Sequence, residues 1–127
     1  MTALLDVKAL IALVYGWATC PITENGMVRV LSQPAYPSGQ RTPAEVIGVL
    51  RALKASHRAV HEFWADDVSL SDESLFLPAY IIGTRQVTDA YLLGLAARRG
   101  GRVVSFDRSM PWQAIRDGTG DLVESPA

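Results

Sequence analysis

Short apolar runs alternate along this chain with longer stretches of helical pattern, and no two such runs are joined by a tight turn. Ala3–Leu5, Trp17–Cys20, His61–Trp64, Arg102–Phe106 and Leu122–Glu124 have strand composition. Helical segments separate most of them. Strands alternating with helices at short intervals predict an α/β fold, with a central parallel sheet covered by helices on both faces. At 127 residues, every apolar stretch is needed for one core, so 1–127 is read as a single domain. The hydrophobic and charged fractions, 49% and 20%, belong to a globular protein and not to a disordered chain.

The helices carry their own punctuation. Val7–Val14 is apolar apart from Lys8 and reads as a buried helix closed by Tyr15-Gly16. Pro21 stops the second strand, and Thr23 is placed as the cap of a helix through Leu31. Thr42-Pro43-Ala44-Glu45 combines a capping Thr, a first-turn Pro and a third-position Glu, predicting a helix from Pro43 to about Ala55. Val46, Ile47, Leu50 and Leu53 form its apolar face. Ser71-Asp72-Glu73 is read as the start of a short helix toward Tyr80. Thr88 is read as the cap of a long helix through Arg99, with Val87, Tyr91, Leu92, Leu95 and Ala96 turned inward and Gly100-Gly101 ending it.

In an open parallel sheet, ligands bind along the edge formed by the carboxyl ends of the strands. Four acids fall on that predicted edge: Asp6 after Ala3–Leu5, Glu24 after Trp17–Cys20, Asp89 at the head of the long helix, and Asp107 after Arg102–Phe106. Each has an ordinary reading. Asp6, Glu24 and Asp89 suit helix caps and first turns, and Asp107 suits a turn. As a set they form an all-oxygen cluster, which favours Mg²⁺ or Mn²⁺ and chemistry on phosphate esters.

Other residues exclude more than they suggest. The net charge of −1 carries no global attraction for nucleic acid. The single cysteine, Cys20, rules out an internal disulfide and fits a reducing cytosol; it is read as a buried side chain at a strand end. Asp6 and Lys8 interrupt the first apolar run, so neither a signal peptide nor a membrane span is expected. His57 and His61 have the spacing of a zinc pair but no evident third ligand, and are read as surface histidines. Arg85, Arg98, Arg99, Arg102 and Arg108 are candidates for a phosphate-binding rim, at least half of them being ordinary solvated charges. Trp64, Trp112 and Tyr36 are read as packing residues, with base stacking as the alternative.

Four blocks carry a resemblance: Leu4-Leu5-Asp6-Val7-Lys8-Ala9-Leu10, Trp17 through Gly26, Arg85-Gln86-Val87-Thr88-Asp89-Ala90-Tyr91-Leu92, and Gly100 through Arg108. Together they resemble PIN-domain proteins, in particular the mycobacterial kind of VapC-type toxin ribonuclease from type II toxin–antitoxin modules. The resemblance implies a PIN-like α/β/α sandwich and a Mg²⁺- or Mn²⁺-dependent endoribonuclease. Asp6, Asp89 and Asp107 map to metal ligands and Glu24 to the second acid, with Glu45 as its rival. Thr88 and Ser105 map to positions that orient the carboxylates. It also implies a VapB-type antitoxin, an RNA substrate (tRNA, rRNA or mRNA), a homodimer and a cytoplasmic location without a membrane. Two departures stand out. Lys8 occupies a position where the family usually has Asn, so weakened metal binding is expected; a catalytically impaired module that binds antitoxin or RNA is the alternative. A stretch of about twenty residues after Tyr15 is shortened or absent. A phosphoaspartyl phosphatase or receiver-like domain ranks last, because Asp6-Val7-Lys8 lacks that family's second Asp.

Overall fold

A computed structural model describes the backbone of residues 3–5, and residues 16–34, 41–105, 107 and 109–125. The expected helix Val7–Val14, with Asp6 and Lys8, lies outside the described residues, as do Tyr36, Phe106 and Arg108.

Five short strands form one sheet: β1 (Ala3–Leu5), β2 (Trp17–Thr19), β3 (His61–Phe63), β4 (Arg102–Val104) and β5 (Val123–Glu124). Their order is β3-β2-β1-β4-β5 and every pairing is parallel. Ala3 pairs with Trp17 on one side and with Arg102 on the other, so β1 is the central strand. Among the described residues, the three longer helices are α1 (Pro21–Leu31), α2 (Pro43–Ser56) and α3 (Val87–Arg98). The α/β architecture with parallel strands is therefore as the alternation predicts.

The faces of β2 divide the molecule. Side chains alternate across a strand. Ala18 and Cys20 join the main core with Leu92, Leu93, Leu95, Ala96, Val103, Phe76 and Ile115. Trp17 and Thr19 point the other way, where His57 and His61 meet them. α3 is buried along most of its length, from Ala90 through Ala96 apart from half-buried Tyr91. Gly94 is required there, because a Cβ would overlap the Phe76 ring. Among the described residues, α1 and α2 pack on each other through a smaller cluster, Met27, Val46 and Leu50.

Three helix starts differ from the sequence reading. The cap of α1 is Cys20 and Pro21 is the first helical residue, so the proline begins the helix as well as ending the strand. Thr23 serves from inside: its Oγ1 accepts from the Cys20 N–H at 2.9 Å and donates to the Cys20 carbonyl at 3.0 Å. α3 is preceded by a 3₁₀ turn, Thr84–Gln86, which makes Gln86 the cap and puts Thr88 within the first turn. Val87, expected inward, is exposed. The helix expected from Ser71 is absent, because the Asp72 carboxylate takes both the N–H and the hydroxyl of Ser74. Such a side-chain turn competes with helix formation, and only a 3₁₀ turn, Pro78–Tyr80, follows.

α2 begins as read: Thr42 Oγ1 accepts from Glu45 N–H at 3.1 Å, and Glu45 returns the bond to Thr42 N–H at 3.2 Å. Ile47, expected inward, is exposed instead. α3 ends at Gly100, whose φ of 68° suits glycine, and the Gly101 N–H closes on the Ala96 carbonyl. Among the described residues, no helix is long and apolar enough to cross a membrane.

Candidate functional site

Two of the four acids, Glu24 and Asp107, follow strands at the sheet's carboxyl edge; Asp89 stands at the head of α3, and Asp6 directly follows Leu5 in sequence, outside the described residues. Glu24 stands in the first turn of α1, just past β2. Asp89 stands in the first turn of α3, where the helix dipole favours a carboxylate. Asp107 follows β4 by way of buried Ser105, whose Oγ accepts the Asp107 N–H at 3.0 Å. β2 and β4 flank β1, so the ends bearing Glu24 and Asp107 stand on either side of the strand that leads into Asp6.

Glu24 is the best defined of these. Its side chain is only 18% exposed. Its Oε2 accepts the Thr19 hydroxyl at 2.6 Å and the Lys54 ammonium at 2.9 Å. Thr19 Oγ1 also lies 2.9 Å from His61 Nε2. Lys54 is held a second way, its ammonium standing 5.0 Å over the Phe63 ring. Asp107 is exposed, and its Oδ1 accepts the N–H and hydroxyl of Ser109 at 2.8 and 2.6 Å. Thr88, expected to orient a carboxylate, is exposed. Glu45 is spent on the α2 capping box, which accounts for it without a metal.

His61 corrects the sequence reading. It is half-buried against Trp17, with ring centroids 4.4 Å apart, and bonded to Thr19. Burial and the Lys54 charge lower its pKa from the ordinary 6.5, against the opposing pull of Glu24 and Glu62. His57 Nδ1 bonds to the Leu53 carbonyl at 2.8 Å and its ring meets the edge of Trp17. The parallel register Trp17↔His61 creates this meeting of residues far apart in sequence. A histidine opening a strand beside a Trp-x-Thr strand was the available signal.

Cys20 is fully buried, and desolvation raises its thiol pKa, as expected for a packing residue. Trp64 is also core. The arginines are mostly committed: Arg98 pairs with Asp72 at 3.1 Å, Arg99 with Asp67 at 2.9 Å, and Arg102 with Glu124 at 3.5 Å. Arg102 opens β4, at the opposite end of that strand from Ser105 and Asp107.

Hard oxygen donors are the chemistry a divalent cation of the magnesium type selects. Among the described residues, however, no three His, Cys, Asp or Glu side chains converge as ligands. The described acids alone do not complete a metal centre.

No family model matches the sequence. Individual proteins do. Ribonuclease VapC44 of Mycobacterium tuberculosis is 40% identical, over 94% of this chain and 95% of its own length. Ribonuclease VapC38 of the same organism is 46% identical over 83% of this chain and 84% of its own. Ribonuclease VapC39 is 41% identical over 87% and 91%. Identity at this level across nearly whole chains, on a parallel α/β scaffold with acids at its carboxyl edge, defines the class: a PIN-domain nuclease. The chain belongs to the VapC-type toxin ribonucleases of toxin–antitoxin systems.

Proposed function

We propose that this protein is a Mg²⁺- or Mn²⁺-dependent endoribonuclease toxin that hydrolyses RNA phosphodiesters and is neutralised by a cognate VapB-type antitoxin. The observation that carries this reading is the 40% identity to a ribonuclease along almost the whole chain. Asp6, Asp89 and Asp107 would hold the metal, and Glu24 is the second acid of the site. A bound divalent cation would lower the pKa of a water and stabilise the leaving oxygen. The chain's own part would be to hold carboxylates from four separate elements at one sheet edge, with Thr19 orienting the Glu24 carboxylate and Ser105 fixing the backbone of Asp107.

The partner reading draws support from an open groove of about 680 Å³ between α1 and α2, lined by Val28, Pro34, Pro43, Ile47 and Leu50. Its apolar floor suits the apolar face of an antitoxin helix. Exposed Tyr80, Val87 and Ile82, the last 86% accessible, offer an apolar surface for a homodimer in the cytoplasm.

We read the chain as one PIN-like domain, an α/β/α sandwich shortened after Tyr15. The VapC44 alignment supports the shortening. It runs over 139 positions but covers 94% of 127 residues, about 119, which leaves about 20 positions of the alignment without a residue of this chain.

The test is cleavage of total bacterial RNA by the purified, antitoxin-free protein with Mg²⁺, with Mn²⁺ and with chelator, alongside Asp89→Ala. Discrete fragments that need both metal and Asp89 are expected, with a loss of at least about 100-fold in the folded variant, well above the roughly tenfold floor for an orienting group. Full activity in Asp89→Ala refutes the site. Lys8 favours a second reading, an impaired binding module; a folded protein that binds antitoxin but cleaves nothing would establish it.

A further inference from the structure

The Glu24 carboxylate is held by two groups of very different character. Lys54 reaches it from α2 on a flexible stem, 32% exposed. Thr19 reaches it from a rigid strand and is 1% exposed. A carboxylate only accepts, so the single Thr19 hydroxyl proton is committed to Glu24 at 2.6 Å. The 2.9 Å contact between Thr19 Oγ1 and His61 Nε2 must then run the other way, with Nε2–H donating to the hydroxyl oxygen. The chain of bonds is directional: His61 to Thr19 to Glu24. Trp17 fixes the ring that starts it, packed 4.4 Å away at a tilt of 57°. The His61 backbone is itself anchored, its main-chain N–H donating to the His57 carbonyl at 2.8 Å.

We propose that His61 is a positioning residue for Glu24, acting through the Thr19 hydroxyl. The inference rests on the ribonuclease reading of the site. By occupying the oxygen of Thr19, His61 leaves the hydroxyl one partner for its proton, and so fixes which way the acid faces. Without His61, the hydroxyl is freer to rotate and its hold on Glu24 is less defined, which leaves Lys54 a larger share in steering the acid. Groups that orient a reactive side chain in this way contribute about 10- to 100-fold to activity when removed singly.

The experiment compares Thr19→Val, Thr19→Ser, His61→Leu and His61→Gln in the full-length protein. Thermal unfolding of each shows that it is folded. In RNA cleavage, Thr19→Val and His61→Leu are expected to lower kcat about 10- to 100-fold with KM little changed. Thr19→Ser restores the hydroxyl and His61→Gln restores an N–H donor, and both are expected to recover most of the loss. Wild-type kcat in folded His61→Leu overturns the proposal, as does an equal loss in His61→Leu and His61→Gln.

Nitrogen-15 NMR of the imidazole gives a readout that does not depend on cleavage. Neutral His61 should carry its proton on Nε2 in the wild type and become a tautomer mixture in Thr19→Val. A proton on Nδ1 in the wild type overturns the proposal. If the wild type cleaves no RNA, the ribonuclease reading falls and the NMR result alone decides the relay.

Discussion

Among the described residues, the two faces of the sheet differ in what they bury. On the α3 side, β2 and β4 contribute Ala18, Cys20 and Val103 to a continuous core that also takes in Phe76, Met110 and Ile115. On the other side, the described helices α1 and α2 share a cluster of Met27, Val46 and Leu50, with Val28, Leu31 and Leu53 half-buried around it. Ile22, Ile47 and Val49 stay exposed there, and the same side carries the Glu24–Thr19–His61–Lys54 chain. Among the described residues, the α3 side holds the larger apolar core, and the other side holds the polar chain and an open groove, as surfaces that bind and react do.

The sharpest way to break this comparison is to cut into each core. Leu93→Ala, at a fully buried site, is expected to cost about 3–5 kcal/mol, and Leu50→Ala about 2 kcal/mol, the low end for such changes. Urea unfolding measures both; equal losses would mean the faces are equally built. Gly94→Ala comes next. The added methyl meets the Phe76 ring and should destabilise by about 1–3 kcal/mol despite alanine's better helix propensity. Unchanged stability would show that Phe76 yields easily and that the α3 side is looser than its packing implies.

The smallest effect concerns pH. His61 has its pKa lowered by burial and then by Lys54, so the unfolded chain binds the proton more readily than the folded one. Its contribution is full above the ordinary value of 6.5 and is lost as pH falls through the lowered one. The wild-type Tm should therefore drop more than that of His61→Gln between pH 7.5 and 5.5. Parallel profiles would remove His61 from the account.

Much of the scaffold was legible because its signals are local. Thr42-Pro43-Ala44-Glu45 states the start of α2 within four residues, and both reciprocal bonds form. The Arg102–Val104 strand and the glycines before it are equally direct. Pro21 misled, because a proline that stops a strand also opens a helix, and the sequence alone does not separate the two. Ser71–Glu73 misled because Asp72 has a nearer partner in Ser74 than a helix would provide. Of the candidate site, the position of Glu24 at the edge was readable, but its company was not. Thr19, Lys54 and His61 meet through strand register and helix packing, which no local pattern encodes.

β1 has no strand partner closer along the chain than β2, and its other partner is β4, Ala3 aligning with Arg102. Contacts so remote in sequence form slowly, and only once both segments exist. On a ribosome, Glu24 and Asp89 emerge well before β4, and Asp107 immediately after it. The strand that leads to Asp107 thus joins β1 only after β2, α1 and α3 have been made.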